Sequence, residues 1–363
     1  MLDPVLGAPA PGAPGSIRQV RRALTAALLA AVALAALPAP ATAAPPAAER
    51  FLSVRPAARR ADIDMSHVWQ SLNNCGPASV TMLLSSLGVR ASQEDARIAL
   101  RGTNVLRGMG TANVDPWVSA EFGLHAFSRN NGTSALLKTL ITNGFAPMVT
   151  QWLDDRSRTA HWRAVRGYDD DQGVFYASDP MRGAAVPLSY DWFADNWMPF
   201  QYRYLVIYRP EDEELLRAIV GEVWFDVPSR FAYLARAKSE AESLDTYEAW
   251  LSYGEAAYQA GHFEESVGAF ETGIAKGSAN GIFNVRTSYP AALRLLGREQ
   301  EARAVAGRLA STPSSPLATS APDDIRQIQA LVGDRPVTLS RNELDLAAAY
   351  LASRTQAQPL EAR

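Results

Sequence analysis

The chain has 363 residues, 47% of them hydrophobic, which is enough to fill one or two ordinary cores. Its 35 lysines and arginines stand against 38 acidic residues for a net charge of -3, so bulk charge gives no support for nucleic-acid binding. A single cysteine excludes an internal disulfide, and four histidines without paired ligand spacing argue against a zinc site, so the thiol is free to react and no cofactor is expected.

Near the amino terminus Arg18, Arg21 and Arg22 precede an apolar run from Ala23 to Leu37, followed by Ala41-Thr42-Ala43. This order of basic, apolar and small residues predicts an export signal over residues 1–43. The apolar run falls short of the roughly 20 residues a membrane-spanning helix needs. The expectation is an exported protein, extracellular, periplasmic or held at the cell envelope, with no stable membrane span after signal cleavage; an uncleaved anchor is the alternative. Removing residues 1–43 takes away three arginines and one aspartate, which moves the net charge from -3 to -5.

Residues 44–61, rich in Ala, Pro and Arg, read as a tether. A first domain is expected over residues 62–210. Its early part is helical: Cys75 to Leu87, with Pro77 in the first turn and an apolar stripe of Val80, Leu83, Leu84 and Leu87; Gln93 to Leu100 behind a Ser92 cap; and Ser134 to Asn143. Its later part is strand-like, over Ala146 to Leu153, Ala160 to Tyr168, Val174 to Ser178 and Tyr202 to Tyr208. Asp169-Asp-Asp-Gln-Gly173 reads as a hairpin turn, because the three aspartates lack the rest of a calcium cage. If Tyr168 pairs with Val174, residue 163 falls opposite residue 179, and His161 lies one diagonal step from Asp179.

From Glu211 to the end, residues 211–363 are expected to be helical, with a Ser/Pro linker near 311–322, a weak amphipathic stretch from Asp323 to Ala330 and a helix from Glu343 to Leu351. The segment Ala249 to Phe270 resembles a tetratricopeptide repeat, with Trp250, Tyr253, Gly254, Gly261, Phe263 and Phe270 on that spacing and Ser266 and Gly273 where alanine is usual. Gly297 to Leu309 echoes half of another repeat, although Pro290 falls inside the helix that would precede it. Such helices offer a surface for a protein partner.

The chemistry centres on Gln70-Ser-Leu-Asn-Asn-Cys75-Gly-Pro-Ala-Ser. The thiolate is the reactive form of cysteine, and a helix N-terminus stabilises it through free backbone N–H groups and the dipole. Acyl chemistry at a thiol needs a nucleophile, a base, a group that orients the base, and oxyanion donors. The first domain supplies a candidate for each: Cys75, His161, Asp179, and Gln70 with the Cys75 backbone N–H. His67 precedes the extended approach to the helix and has no obvious carboxylate, His125 sits in a structural segment, and His262 falls in a turn between helices. As a core residue, Cys75 would need none of this company.

The three segments Gln70-Ser-Leu-Asn-Asn-Cys75-Gly-Pro-Ala-Ser, His161-Trp-Arg-Ala-Val-Arg-Gly-Tyr168-Asp-Asp and Tyr176-Ala-Ser-Asp179-Pro-Met-Arg-Gly183 resemble the signature blocks of the bacteriocin-processing cysteine peptidases, the double-glycine leader peptidases and their stand-alone relatives. The resemblance spans roughly Val68 to Tyr208. It implies an α+β fold with a papain-like cysteine peptidase domain, a central helix carrying Cys75 packed on an antiparallel sheet carrying His161 and Asp179, followed here by an all-α tetratricopeptide-like region. By the same match it implies the catalytic roles named above and a peptide or protein substrate. Arg163 departs from the hydrophobic residues usual at that strand position and reads as having no part in the catalytic argument. Two rival functions use the same residues: a transpeptidase or amidase working through the same thioester, and a catalytically silent binding protein on a peptidase fold.

Overall fold

The computed structural model describes residues 53–71, 73–102, 108–155, 159–277 and 285–311. The expected signal over 1–43, the Ser/Pro linker (apart from residue 311, which ends the last helix), the amphipathic stretch 323–330 and the helix 343–351 lie outside the described residues. Seven strands form one sheet: β1 (Arg60–Asp62), β2 (His125–Arg129), β3 (Pro147–Trp152), β4 (Ala160–Asp169), β5 (Val174–Asp179), β6 (Gly183–Ser189) and β7 (Tyr204–Tyr208). Their order is β2-β7-β3-β4-β5-β6, all neighbours antiparallel, with β1 added beside the far end of β4.

Helices α1 (Cys75–Ser86), α2 (Gln93–Arg101) and α3 (Val114–Phe122) share a core with one face of this sheet. Val80, Met82, Leu83 and Leu84 of α1 pack with Met148, Trp162, Ala164, Leu205 and Ile207. This is the helical stripe meeting the alternate residues of β3, β4 and β7, the 3.6 and 2.0 periods of the two element types. The other alternate set, Val149, Val165, Tyr204 and Val206, packs with α4 (Ser134–Thr142) and α5 (Tyr190–Trp197). Ser92 caps α2 by accepting the Asp95 N–H, and Thr133 caps α4 by accepting from Leu136.

Two helices and three strands exceed the sequence expectation: α3, α5, β1, β2 and β6 lacked the clean periodicity that marks the others. Residues 53–61, expected to belong to a tether, are seated on the domain instead. Asn143 Oδ1 accepts the Arg55 N–H, Ala58 O accepts the Tyr168 hydroxyl, and Ala61 pairs with Tyr168 in the sheet. Composition hides this, because the contacts run through the backbone of an edge strand, and any residue but proline can supply them.

The hairpin differs from expectation by one residue at its tip and agrees with it further down. Asp169 pairs with Val174 and Tyr168 with Phe175; beyond a bulge between Val165 and Gly167, Ala164 pairs with Ser178. The tip itself is a tight turn, in which Asp169 Oδ1 accepts the N–H groups of Asp171 and Gln172 and Gly173 takes φ +67°. The bulge inserts one residue into β4 and so shifts the side-chain alternation of the strand. Without it Asp179 would stand opposite Ala164 and face the α1 layer. With it, Asp179 faces the same side as His161 and Arg163.

The carboxy-terminal described helices are α6 (Glu213–Val220), α7 (Asp226–Leu244), α8 (Tyr247–Gln259), α9 (Phe263–Lys276), α10 (Val285–Leu295) and α11 (Glu299–Ser311). Tyr233, Leu234, Ala237 and Ala241 of α7 and Ala249, Tyr253 and Ala256 of α8 belong to the same hydrophobic cluster as the sheet residues Phe127, Tyr204 and Val206. The first two long helices are therefore built onto the sheet face opposite α1. Helices α8 and α9 form a hairpin whose turn contains Gly261 at φ +84°. They approach closely where a Cβ on Gly254 would lie 2.7 Å from the Phe270 ring. Ser266, buried at the same contact, donates to Gly254 O at 2.8 Å, which satisfies its hydroxyl in place of the usual alanine. Pro290 is buried inside α10.

Candidate active site

Cys75 opens α1 behind Asn74, with its thiol half-buried. Gly76, next in the chain, lies so close to Met109 that a Cβ there would come within 2.7 Å of Met109 Cβ. The backbone before the helix turns through Asn73 at φ +53°, and Arg101 of α2 donates to the Asn73 carbonyl. Gln70 hangs in the same loop, its backbone N–H donated to Pro180 O at 2.9 Å. Its side chain lines a small cavity together with Asn73, Cys75, His161 and Met181, and its buried Oε1 has no hydrogen-bond partner.

His161 lies near the start of β4 and is 2% exposed; Asp179 ends β5 and is fully buried. His161 Nε2 and Asp179 Oδ1 are 2.9 Å apart, and the same oxygen accepts the Met181 N–H at 2.8 Å. With Nε2 held by the carboxylate, Nδ1 is the nitrogen left for the thiol, which lines the same small cavity as His161. The carboxylate's second oxygen, Oδ2, accepts from Arg163 Nε at 2.6 Å. Arg163, also fully buried, spends its remaining donors on Gln151 Oε1 at 3.2 Å, Trp152 O at 3.1 Å and Leu153 O at 2.6 Å.

Burial pushes the Cys75 thiol up, but the hydrogen bond and charge of His161, and the backbone N–H groups of Trp162 and Gly76, outweigh it and hold the thiol below its ordinary value. Burial likewise opposes a charged His161; the Asp179 carboxylate and the thiol overcome it and raise the imidazole, while Arg163 pulls the other way. Asp179 is held well below the usual carboxylate range: desolvation resists ionisation, and His161, Arg163 and the Met181 N–H reverse it. Together these shifts favour a thiolate beside an imidazolium, the reactive form of a cysteine–histidine pair.

The other histidines are engaged elsewhere. His67 Nδ1 lies 2.9 Å from Ser178 Oγ, and its ring packs edge-on against Trp69. His125 lies 3.4 Å from Asp115, and His262 lies 3.6 Å from Glu265 on the helical layer. Among the described residues no group of three or more His, Cys, Asp or Glu side chains could hold a metal, and no helix is long and apolar enough to cross a membrane.

The sequence reading of Arg163 is corrected here. It set Arg163 apart from the catalytic argument, yet this guanidinium forms the second half of the Asp179 environment. The available signal was its position: two residues after His161 on one strand, Arg163 shares the face of His161 and, through the bulge, of Asp179.

Residues 52–205 match the Peptidase_C39 like family. A helix bearing Cys75 on an antiparallel sheet, followed by a helical region, is thus an α+β papain-like peptidase fold, and the match supports a bacteriocin-processing peptidase-like family for residues 52–205. Two solved structures are similar to it: a double glycine motif protease from an AMS/PCAT transporter in complex with the leader peptide, 19% identical, covering 43% of this chain and 99% of that one with a TM-score of 0.34, and a C39-like peptidase from Bacillus anthracis, 13% identical, covering 41% and 98% with a TM-score of 0.34. No curated protein matches the chain.

Proposed function

We propose that this protein is an exported cysteine peptidase in which Cys75, His161 and Asp179 act as a triad and Gln70 completes the oxyanion site. The observation that carries the reading is the buried Asp179–His161 hydrogen bond beside a thiol at a helix N-terminus, with Cys75, His161 and Gln70 lining one cavity. The thiolate attacks the peptide carbonyl carbon, and its oxygen takes up the negative charge against the Gln70 side-chain amide and the Cys75 backbone N–H. The carbon–nitrogen bond then breaks as the His161 imidazolium protonates the departing amine, leaving a thioester. A water molecule attacks the thioester, gives its proton to His161 and releases the carboxylate product. Asp179 holds the imidazole in one orientation throughout, and no cofactor takes part. The basic, apolar and small-residue order from Arg18 to Ala43 supports export.

The test is the pH dependence of Cys75 alkylation by iodoacetamide in residues 44–363, beside His161→Ala and Cys75→Ala. Because the folded thiol is depressed, the rate is expected to rise through a pKa below the ordinary value of about 8.5 and to return toward that value in His161→Ala. Peptide hydrolysis is expected to vanish in Cys75→Ala. An unshifted wild-type thiol would instead favour the silent binding protein.

A further inference from the structure

Among the described residues a cleft larger than the cavity at Cys75 lies apart from it. It has a volume of about 570 Å³ and opens between the sheet end and the helical layer, with Asn130, Arg203, Arg230, Tyr233, Gln259 and Phe263 among its walls. Strand register fixes where it lies. Arg129 pairs with Tyr204, Tyr204 with Val149, and Val149 with Arg163. This row joins the cleft wall at Arg129 to the charged cluster around Asp179, and Arg203, beside Tyr204 at the start of β7, stands two strand spacings from Arg163, or about 10 Å at about 4.8 Å per strand. A second connection runs along the loop at Met109, which packs on Gly76 and accepts the Trp162 indole N–H at 3.2 Å, while Thr111, two residues on, lines the cleft.

Three arginines line this cleft, and two of them are committed to the fold. Arg129 donates to the carbonyls of Val223, Ser128 and Trp224, and Arg230 bonds Gln259 O and pairs with Asp226. Arg203 differs. Its Nε donates to Asn130 Oδ1 at 3.3 Å, and its two terminal nitrogens bond no described residue. Asn130 is itself fixed, since its Nδ2 donates to Gln201 Oε1 at 2.5 Å and to Gln259 Oε1 at 3.2 Å, and Gln259 bonds Glu255 in turn. An amide network spanning the sheet end and α8 thus aims a half-buried guanidinium whose free edge opens into the cleft. Burial pushes this guanidinium down, with Glu255 and Tyr233 acting against it. A planar fork of this kind fits a carboxylate through two parallel hydrogen bonds.

We propose that the cleft is a substrate subsite in which the Arg203 fork binds a carboxylate of the peptide, about three residues along the extended chain from the residue at the bond attacked by Cys75. The spacing follows from about 10 Å at about 3.3 Å per extended residue. The proposal rests on the peptidase reading above. It gives the helical layer a defined part in substrate recognition, because α7 and the α8–α9 turn build the wall that faces Arg203.

The test uses electrophiles that report on Cys75 without a known substrate. Acetyl-Glu-Gly-Gly-Gly-chloromethyl ketone and its Gln counterpart probe one chain polarity; iodoacetyl-Gly-Gly-Gly-Glu amide and its Gln counterpart probe the other. Iodoacetyl-tetraglycine as the free acid and as the amide separates a terminal from a side-chain carboxylate. Each rate is divided by that of the same protein with iodoacetamide. At least one acid probe is expected to react about tenfold or more faster than its neutral partner, the value of a charge-assisted hydrogen bond of about 1.4 kcal/mol. That ratio is expected to fall to about one in Arg203→Gln and to an intermediate value in Arg203→Lys. Ratios near one for every pair in the wild type, or a preference that survives Arg203→Gln, would overturn the proposal, and the wild-type ratios decide even if a variant fails to fold. An ordinary, unactivated reaction with iodoacetamide would remove the peptidase reading, and this subsite with it.

Discussion

Arg163 and Arg203 stand at the same end of one sheet and show opposite uses of a desolvated guanidinium. Arg163 is fully buried, and its bonds reach Asp179, Gln151 and two backbone carbonyls. The Arg203 side chain has one hydrogen bond among the described residues, through Nε, and turns its remaining donors toward a cleft. A buried cation that is fully satisfied within the protein fixes structure; one left open to a cavity has binding capacity to spare. The contrast also separates two kinds of polar burial, since the charges around Asp179 neutralise one another while the charge at Arg203 awaits a partner.

The largest effect that would sharpen this comparison is expected for Arg163→Met. Removing one partner strands the buried Asp179 carboxylate, and the loss is expected to be about 3–5 kcal/mol by denaturant unfolding. Adding Asp179→Asn is expected to cost less than the sum of the two single changes, because it removes the charge the first change strands. Strict additivity would break the view of Arg163 as a clamp on Asp179. Gln70→Ala comes next: for any peptide the wild type hydrolyses, kcat is expected to fall about 10²–10³-fold, the usual cost of one oxyanion donor, while iodoacetamide alkylation, which forms no oxyanion, stays near the wild-type rate. Equal loss of both would make Gln70 a support for the loop instead of a donor. The smallest effect is expected at Arg203, where Arg203→Gln removes a single side-chain hydrogen bond and should cost about 1 kcal/mol in unfolding stability. A loss comparable to that of Arg163→Met would place Arg203 among the structural cations and erase the contrast.

The sequence carried the local chemistry well where a pattern has a local cause. The helix from Cys75 follows from Pro77, the apolar stripe and the following Gly88, and it forms with its stripe against the sheet. The strands after residue 146 were legible from their β-branched and aromatic content, and Asp169 to Gly173 from the turn chemistry of Asp and Gly. The strands β1 and β6 were less legible because edge pairing asks little of a side chain. The bulge at Arg166 was invisible for a related reason: it is a property of two strands paired at a given register, and neither strand encodes it alone. The expectation that His161 and Asp179 share a face rested on a tip register displaced by one residue, and the bulge restores it.

By itself, then, the sequence determined that a lone thiol begins a helix after a glutamine-bearing loop, that a hairpin follows, and that a histidine and an aspartate lie on its two strands, because these depend on residue types over a few turns or one tight loop. Only the tertiary structure decided that Arg163 grips the same carboxylate as His161, that residues 53–61 are bound to the sheet, and that the helical layer closes a cleft around Arg203. Those outcomes depend on which side chains meet across strands and layers, and on which charges find a partner there, quantities that burial and register set jointly and that a linear pattern does not contain.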